Sequence, residues 1–199
     1  IAFSIVQRPL IVKYNLAPDW SALGYTFETA LALLSSITGF GALAGGILIS
    51  IWGGLKSRRI LGVIIPMMLV GIAQIFYGAS PWLYLTAVFA ALWAAMLPIL
   101  NAHSQSIWQS ITPRDLQGRV FSVRRVLAQF TIPFGTLLGG WAGGLFNPGL
   151  ALSIAGVLMF LFSAAQLFNP YLMRIENKDF LNSQASEVPT VTSPAADLD

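Results

Sequence analysis

Apolar length is the feature that most limits what this chain can become. From Ser21 to Trp52 it runs for 32 residues with one charge, Glu28. Further uncharged runs follow at Ile60 to Ala79, Trp82 to Ser106 and Leu150 to Phe168. About 20 apolar residues in a helix cross the hydrocarbon core of a bilayer. No water is present there to satisfy the backbone, so each segment must bond its own N–H and C=O groups, which makes it a helix. Composition points the same way: 56% of residues are hydrophobic, 10% are charged and the mean hydropathy is +0.72, against about 25% charged in a soluble domain. An all-α polytopic membrane protein is expected.

Taken in order, Ile1 to Tyr14 is too short to span and is broken by Gln7-Arg8-Pro9, so it is not read as a signal peptide. It is expected to be the outer end of a helix whose beginning is missing, within a longer polypeptide. Complete spans are expected at about 30–52, 60–79, 82–106, 120–143 and 150–168. These form one transmembrane unit, 1–168, of five complete helices plus the end of a sixth. The polar residues 169–199, rich in Ser, Pro and Asp, are expected to be a disordered tail.

The basic residues are not spread evenly. Lys56, Arg58, Arg59, Arg114, Arg119, Arg124, Arg125, Arg174 and Lys178 fall on alternate connections or the tail, and only Arg8 and Lys13 fall on the other side. The excess places the GGLKSRR loop, the central polar stretch and the carboxy terminus in the cytoplasm, because Lys and Arg of short loops stay inside. A net charge of +3 and a pI of 9.5 therefore reflect membrane anchoring, and the partner expected is the lipid bilayer, with no nucleic acid. Without cysteine, with no phosphate-binding Gly-Lys-Ser/Thr loop and with no metal or catalytic spacing, no cofactor, no metal and no enzymatic activity is expected.

Asn101 to Arg125 is the one long polar and basic interruption. Thr112-Pro113-Arg114-Asp115 reads as a helix start, with a capping threonine, a proline at the first helical position and a carboxylate near the positive helix end. A short amphipathic element at the membrane surface is expected there. Asn101, then Gln109-Ser110-Ile111-Thr112-Pro113, then Gln117-Gly118-Arg119-Val120-Phe121-Ser122 resembles the "N…Q…VP…QGRVFS" pattern of the macrolide-efflux and enterobactin-exporter-like branch of drug:proton antiporters, in the major facilitator superfamily. The pattern joins the tenth and eleventh of twelve helices in that family, and Gly53 to Arg59 is similar to its basic loop between the eighth and ninth, without the acidic residue of the fuller form. The resemblance implies half of a twelve-helix bundle, the carboxy-terminal one. It implies efflux of a small amphipathic compound by alternating access, with the missing amino-terminal half supplying the other wall. It also implies proton exchange, whose site would lie in that absent half, since no midplane carboxylate occurs here. Asp115, Gln117, Gly118 and Arg119 would then stabilise the cytoplasmic connection.

Ser122, Arg125, Gln129, Thr136, Gly140 and Gly143 recur at spacings of three, four or seven and share one helical face. Substrate-cavity candidates are Gln129, Thr136, Asn101, Gln105 and Arg125, although Arg125, like Arg124, reads first as an interfacial anchor and the glycines as packing sites. His103, the sole histidine, is a proton-coupling candidate or a hydrogen-bonded interfacial residue. Glu28 is a second such candidate at the outer mouth, or a solvated charge. Gly41-Ala-Leu-Ala-Gly45, with Ala42 and Gly46, is a close-packing motif. A transporter half is expected; the rival is a non-transporting truncated remnant or membrane assembly subunit that keeps the fold.

Overall fold

A computed structural model describes residues 2–173, and their regular structure is entirely helical. The chain enters as α1 (Ala2–Leu10), continues through a π-helical stretch, Ile11–Asn15, and turns into the short α2 (Ala17–Ala22). Five long helices follow: α3 (Phe27–Trp52), α4 (Leu61–Ala79), α5 (Leu83–Ile111), α6 (Gln117–Leu145) and α7 (Pro148–Gln166), then a single turn, α8 (Pro170–Met173). The expected disordered tail therefore begins with a helical turn, and the rest of it, with Arg174 and Lys178, lies outside the described residues.

Four of the long helices, α3, α4, α5 and α7, are long and apolar enough to cross a membrane. The fifth, α6, is the least apolar of them, because Arg119, Arg124 and Arg125 occupy its first turns. Its uncharged remainder, 126–145, still covers about 30 Å at about 1.5 Å per residue. The exterior is apolar as lipid requires: Phe40, Leu43, Ile47 and Ile51 lie exposed along α3, and Trp52 and Trp82 flank opposite helix ends.

The helices are held by backbone contact where glycine removes the side chain. In lipid no hydrophobic effect drives helices together, so close approach through small residues does. On α3, Gly41 and Gly45 press on α5; a Cβ at Gly45 would stand 2.7 Å from Ala95 Cα, and one at Gly41 2.6 Å from Ala91 Cα. Gly46 faces open space instead and takes no part. Between α4 and α7, Gly71 meets Gly156 and Gly78 meets Gly149, and Ser153 Oγ donates to Ile75 O at 2.9 Å. By contrast α6 leans mainly on α1, through Gly135, Gly139 and Gly143, and Gln7 Nε2 donates to Gly139 O at 2.9 Å.

One end of the bundle is tied by polar bonds from the entry segment. Leu83 N–H donates to Asp19 Oδ2 at 2.7 Å, Trp20 Nε1 to Val12 O at 2.8 Å and Asn15 Nδ2 to Asn147 Oδ1 at 2.6 Å. Pro9 supplies no N–H, and just beyond it the wider π turn closes with Leu16 N–H donating to Ile11 O at 3.0 Å. At the opposite end Gly53 and Gly54 both take left-handed backbone angles, which only glycine adopts without strain. His103 pins that loop. Its Nδ1 donates to Ile99 O at 2.8 Å, which leaves Nε2 to accept from Leu55 N–H at 2.9 Å. The ring fills the space that a Cβ on Gly62 would need.

The helix start expected at Thr112 is displaced. Thr112 is extended and ends α5, Leu116 precedes α6 without a side-chain cap, and the connection is a tight turn closed by Leu116 N–H to Pro113 O at 3.1 Å. No separate surface element forms there: α5 carries the polar residues up to Ile111 and α6 resumes at Gln117. The carbonyls at the end of α5 are instead met by Gln117 Nε2, which donates to Thr112 O at 3.2 Å and Gln109 O at 3.3 Å, as unsatisfied C-terminal carbonyls demand.

Two outcomes follow. Gly45→Leu should cost about 1–3 kcal/mol by overpacking, read as a lowered Tm of the purified full-length protein, whereas Gly46→Leu should stay within about 0.5 kcal/mol. His103→Leu should raise amide exchange at Leu55 by about tenfold, as loss of a half-buried hydrogen bond implies, and leave exchange in α7 unchanged.

Candidate functional site

The helices α5 and α6 are adjacent in sequence yet share few contacts along their lengths, and a cavity of about 650 Å³ opens between their polar ends. That volume falls in the range of small-molecule sites, roughly 300–1,000 Å³. From α5 it is lined by Asn101, Gln105 and Gln109, and from α6 by Phe121, Ser122, Arg124, Arg125 and Ala128. The amides stand four residues apart, so one face of α5 presents them in a column. Ser122 and Arg125, three apart, do the same on α6.

Arg124 bridges the two walls. Its Nη2 donates to Ser104 Oγ at 2.8 Å and its Nη1 to Gln105 Oε1 at 3.2 Å, and the guanidinium lies 5.6 Å from the centre of the Trp108 ring, a cation–π distance. Gln105 is thereby oriented with its carbonyl oxygen engaged and its amide nitrogen left without a partner among the described residues. The side chains of Asn101, Gln109 and Arg125 make no hydrogen bond among the described residues either. Ser122 Oγ donates back to Gly118 O at 2.8 Å, so its proton is committed to its own helix.

Depth follows from rise. Asn101 stands 18 residues beyond Leu83 and Arg125 stands 20 before Leu145, or about 27 and 30 Å along their helices. Each therefore reaches the edge of a hydrocarbon core about 30 Å thick. The cavity is a vestibule at the end of the bundle that carries Lys56, Arg58, Arg59 and Arg114.

The five cavity candidates fall in two places. Asn101, Gln105 and Arg125 meet in the vestibule. Gln129 and Thr136 lie farther along α6, in a groove of about 660 Å³ shared with Ala2, Phe3 and Ile5 of α1. Thr136 Oγ1 donates to Pro133 O at 2.8 Å and Thr131 Oγ1 to Ala128 O at 2.7 Å, so both hydroxyls serve the backbone around the proline. The shared face is real, but it looks toward α5 at one end and α1 at the other. Gln109, Phe121 and Arg124 belong to the vestibule and were missed by the sequence reading. The spacing of Gln109 from Asn101 and Gln105 was the available signal for the first.

The remaining candidates stand apart. His103 is buried beneath the α3–α4 loop, beside a smaller cavity of about 220 Å³, with both ring nitrogens held by backbone. Glu28 is exposed in the first turn of α3, just after Thr26, which caps that helix by accepting from Thr29 N–H at 3.3 Å; a carboxylate is favoured there by the helix dipole. Asp115, Gly118 and Arg119 are exposed, and of their motif only Gln117 bonds across the turn. Arg119 borders an apolar groove with Trp108, Val120, Val123 and Leu127.

No family model matches the chain, and no solved structure matches it. Over 197 residues, covering 94% of the chain, it is 22% identical to an uncharacterized MFS-type transporter, YvqJ, of Bacillus subtilis (strain 168). The chain spans 46% of that protein's length, less than half of it. The chain is thus all-helical among its described residues, with four helices fit to cross a membrane, and distantly similar to part of a protein described as an MFS-type transporter.

Proposed function

We propose that the chain is most of the carboxy-terminal half of a secondary active transporter, of the macrolide-efflux and enterobactin-exporter-like branch, that expels a small amphipathic compound. The observation that carries this reading is the polar vestibule between α5 and α6, built from unpaired amides and a guanidinium at the membrane edge. A cavity of this size with a few convergent polar groups is the usual form of a small-molecule site. The distant similarity to an MFS-type transporter supports a transporter over an enzyme.

On this reading the protein sits in the cell membrane with its basic connections and carboxy terminus in the cytoplasm, by the distribution of Lys and Arg. The vestibule receives the compound from the cytoplasmic side. Thr136, about 14 Å from the other end of α6 by helical rise, lies near the midplane, where transporters of this architecture hold substrate between two rocking halves. Gln129 lies between the two. The amino-terminal half supplies the opposite wall, and proton exchange drives the cycle through a site in that half.

Efflux of a fluorescent amphipathic compound from cells carrying the full-length protein tests this. Asn101→Leu and Gln105→Leu should each slow efflux about two- to tenfold at low substrate, the size of one lost hydrogen bond. Leu43→Ala, on the exposed apolar face of α3 away from the vestibule, should not. Equal efflux by every lining variant at equal protein amounts would favour a non-transporting remnant or assembly subunit instead.

A further inference from the structure

Resting on the reading of the vestibule as part of the substrate path, we propose that it takes the anionic group of an amphipathic compound. The group would be a carboxylate or a phosphate or sulfate ester, met by Arg125 and by the free amide donors of α5. Arg124 acts as a positioning residue.

The charge balance carries the argument. Two guanidinium groups line the cavity and no carboxylate does. Arg124 and Arg125 are neighbours on α6, so their charges repel, and at the edge of the hydrocarbon that repulsion is screened less than in bulk water. A bound anion relieves it; a cationic amphiphile would add a third like charge. The hydrogen-bonding inventory agrees. Gln105 Oε1 accepts from Arg124, so the free polar atom of that side chain is its amide nitrogen, a donor, and Asn101 and Gln109 are unpaired among the described residues. Arg125 has no partner among the described residues, and its planar fork suits two oxygens of one anion. Phe121 and Ala128 supply an apolar wall for the remainder of the molecule. Anchoring to lipid phosphates explains a lone arginine at this depth, but not one set in a cavity opposite three amides.

Two sources offer this chemistry, a transported anion and the headgroup of an anionic lipid. The full-length protein in nanodiscs of phosphatidylcholine is titrated with naphthalene-2-sulfonate and with neutral naphthalene-2-sulfonamide. The sulfonate should bind about tenfold tighter or more, as a charge-assisted pair implies. Arg125→Gln should erase the preference, weakening the sulfonate far more than the sulfonamide, and Arg125→Lys should keep part of it. Arg124→Lys should weaken the sulfonate nearly as much as Arg124→Gln, because the fork to Ser104 and Gln105 is lost with either; rescue by lysine would reduce Arg124 to a plain charge and overturn its positioning role. If phosphatidylglycerol in the disc competes with the sulfonate in the native protein but not in Arg125→Gln, the occupant is a headgroup. If it does not compete, the occupant is a transported anion. A native protein that binds both probes equally, or a preference that survives Arg125→Gln, overturns the proposal. If both probes then still weaken with Gln105→Leu, the vestibule remains a binding site and only its anionic character falls. If no lining substitution moves either probe, the vestibule reading falls with it.

Discussion

Glycine-mediated contact between backbones is what the rest of this structure depends on. Lipid tails compete with leucine on equal terms, so apolar side chains give the helices no reason to prefer one another. Gly41 and Gly45 let α3 reach the backbone of α5, and the pairs Gly71–Gly156 and Gly78–Gly149 do the same for α4 and α7. With α4 also packed along α5, these four helices form one slab. Their outward faces can then be large and apolar, as Phe40, Ile47 and Leu158 are, without affecting the packing.

The slab defines what α6 is free to do. It has its own glycine contacts, but Gly135, Gly139 and Gly143 are spent on α1, so α6 stands off from α5. Polar residues fill the gap that results. Arg124 reaches across to Ser104 and Gln105, and Gln117 closes the turn beneath. The vestibule is therefore a consequence of which neighbour each glycine face meets. Its chemistry follows from where helix length places Asn101 and Arg125, at the depth where water ends and hydrocarbon begins. Polar atoms elsewhere in the bundle show a different economy. His103, Thr38 and Ser163 are buried and each bonds a backbone carbonyl on its own helix, which leaves them structural.

Much of this was legible in the sequence because it depends on one-dimensional length. An uncharged run of 20 residues has a single solution in lipid, and the small-xxx-small spacing of Gly41 and Gly45 announces a close contact. The partner of that contact, Ala91 and Ala95, is not announced, because spacing gives a direction on one helix and says nothing of what stands there. The same gap separates Gln129 and Thr136 from Asn101 and Gln105: periodicity put the first pair on the face of Arg125, yet α1 and not α5 faces them. Thr112-Pro113 misled for another reason. Residues that begin a helix also suit the extended link after one ends, and only the side chain of Gln117, folding back on the carbonyls of α5, shows that the helix begins later.

The most direct test of a water-filled vestibule at the basic end uses thiol accessibility, since the chain has no cysteine of its own. Gln105→Cys, placed in an otherwise cysteine-free full-length protein, is exposed in sealed inside-out vesicles to a membrane-impermeant methanethiosulfonate, with Phe40→Cys, on the exposed apolar face midway along α3, as the comparison. The account predicts rapid modification at position 105 and almost none at position 40. A residue at position 105 as inert as the one at position 40 would mean that α5 and α6 close on each other in the membrane, and the central claim would be wrong.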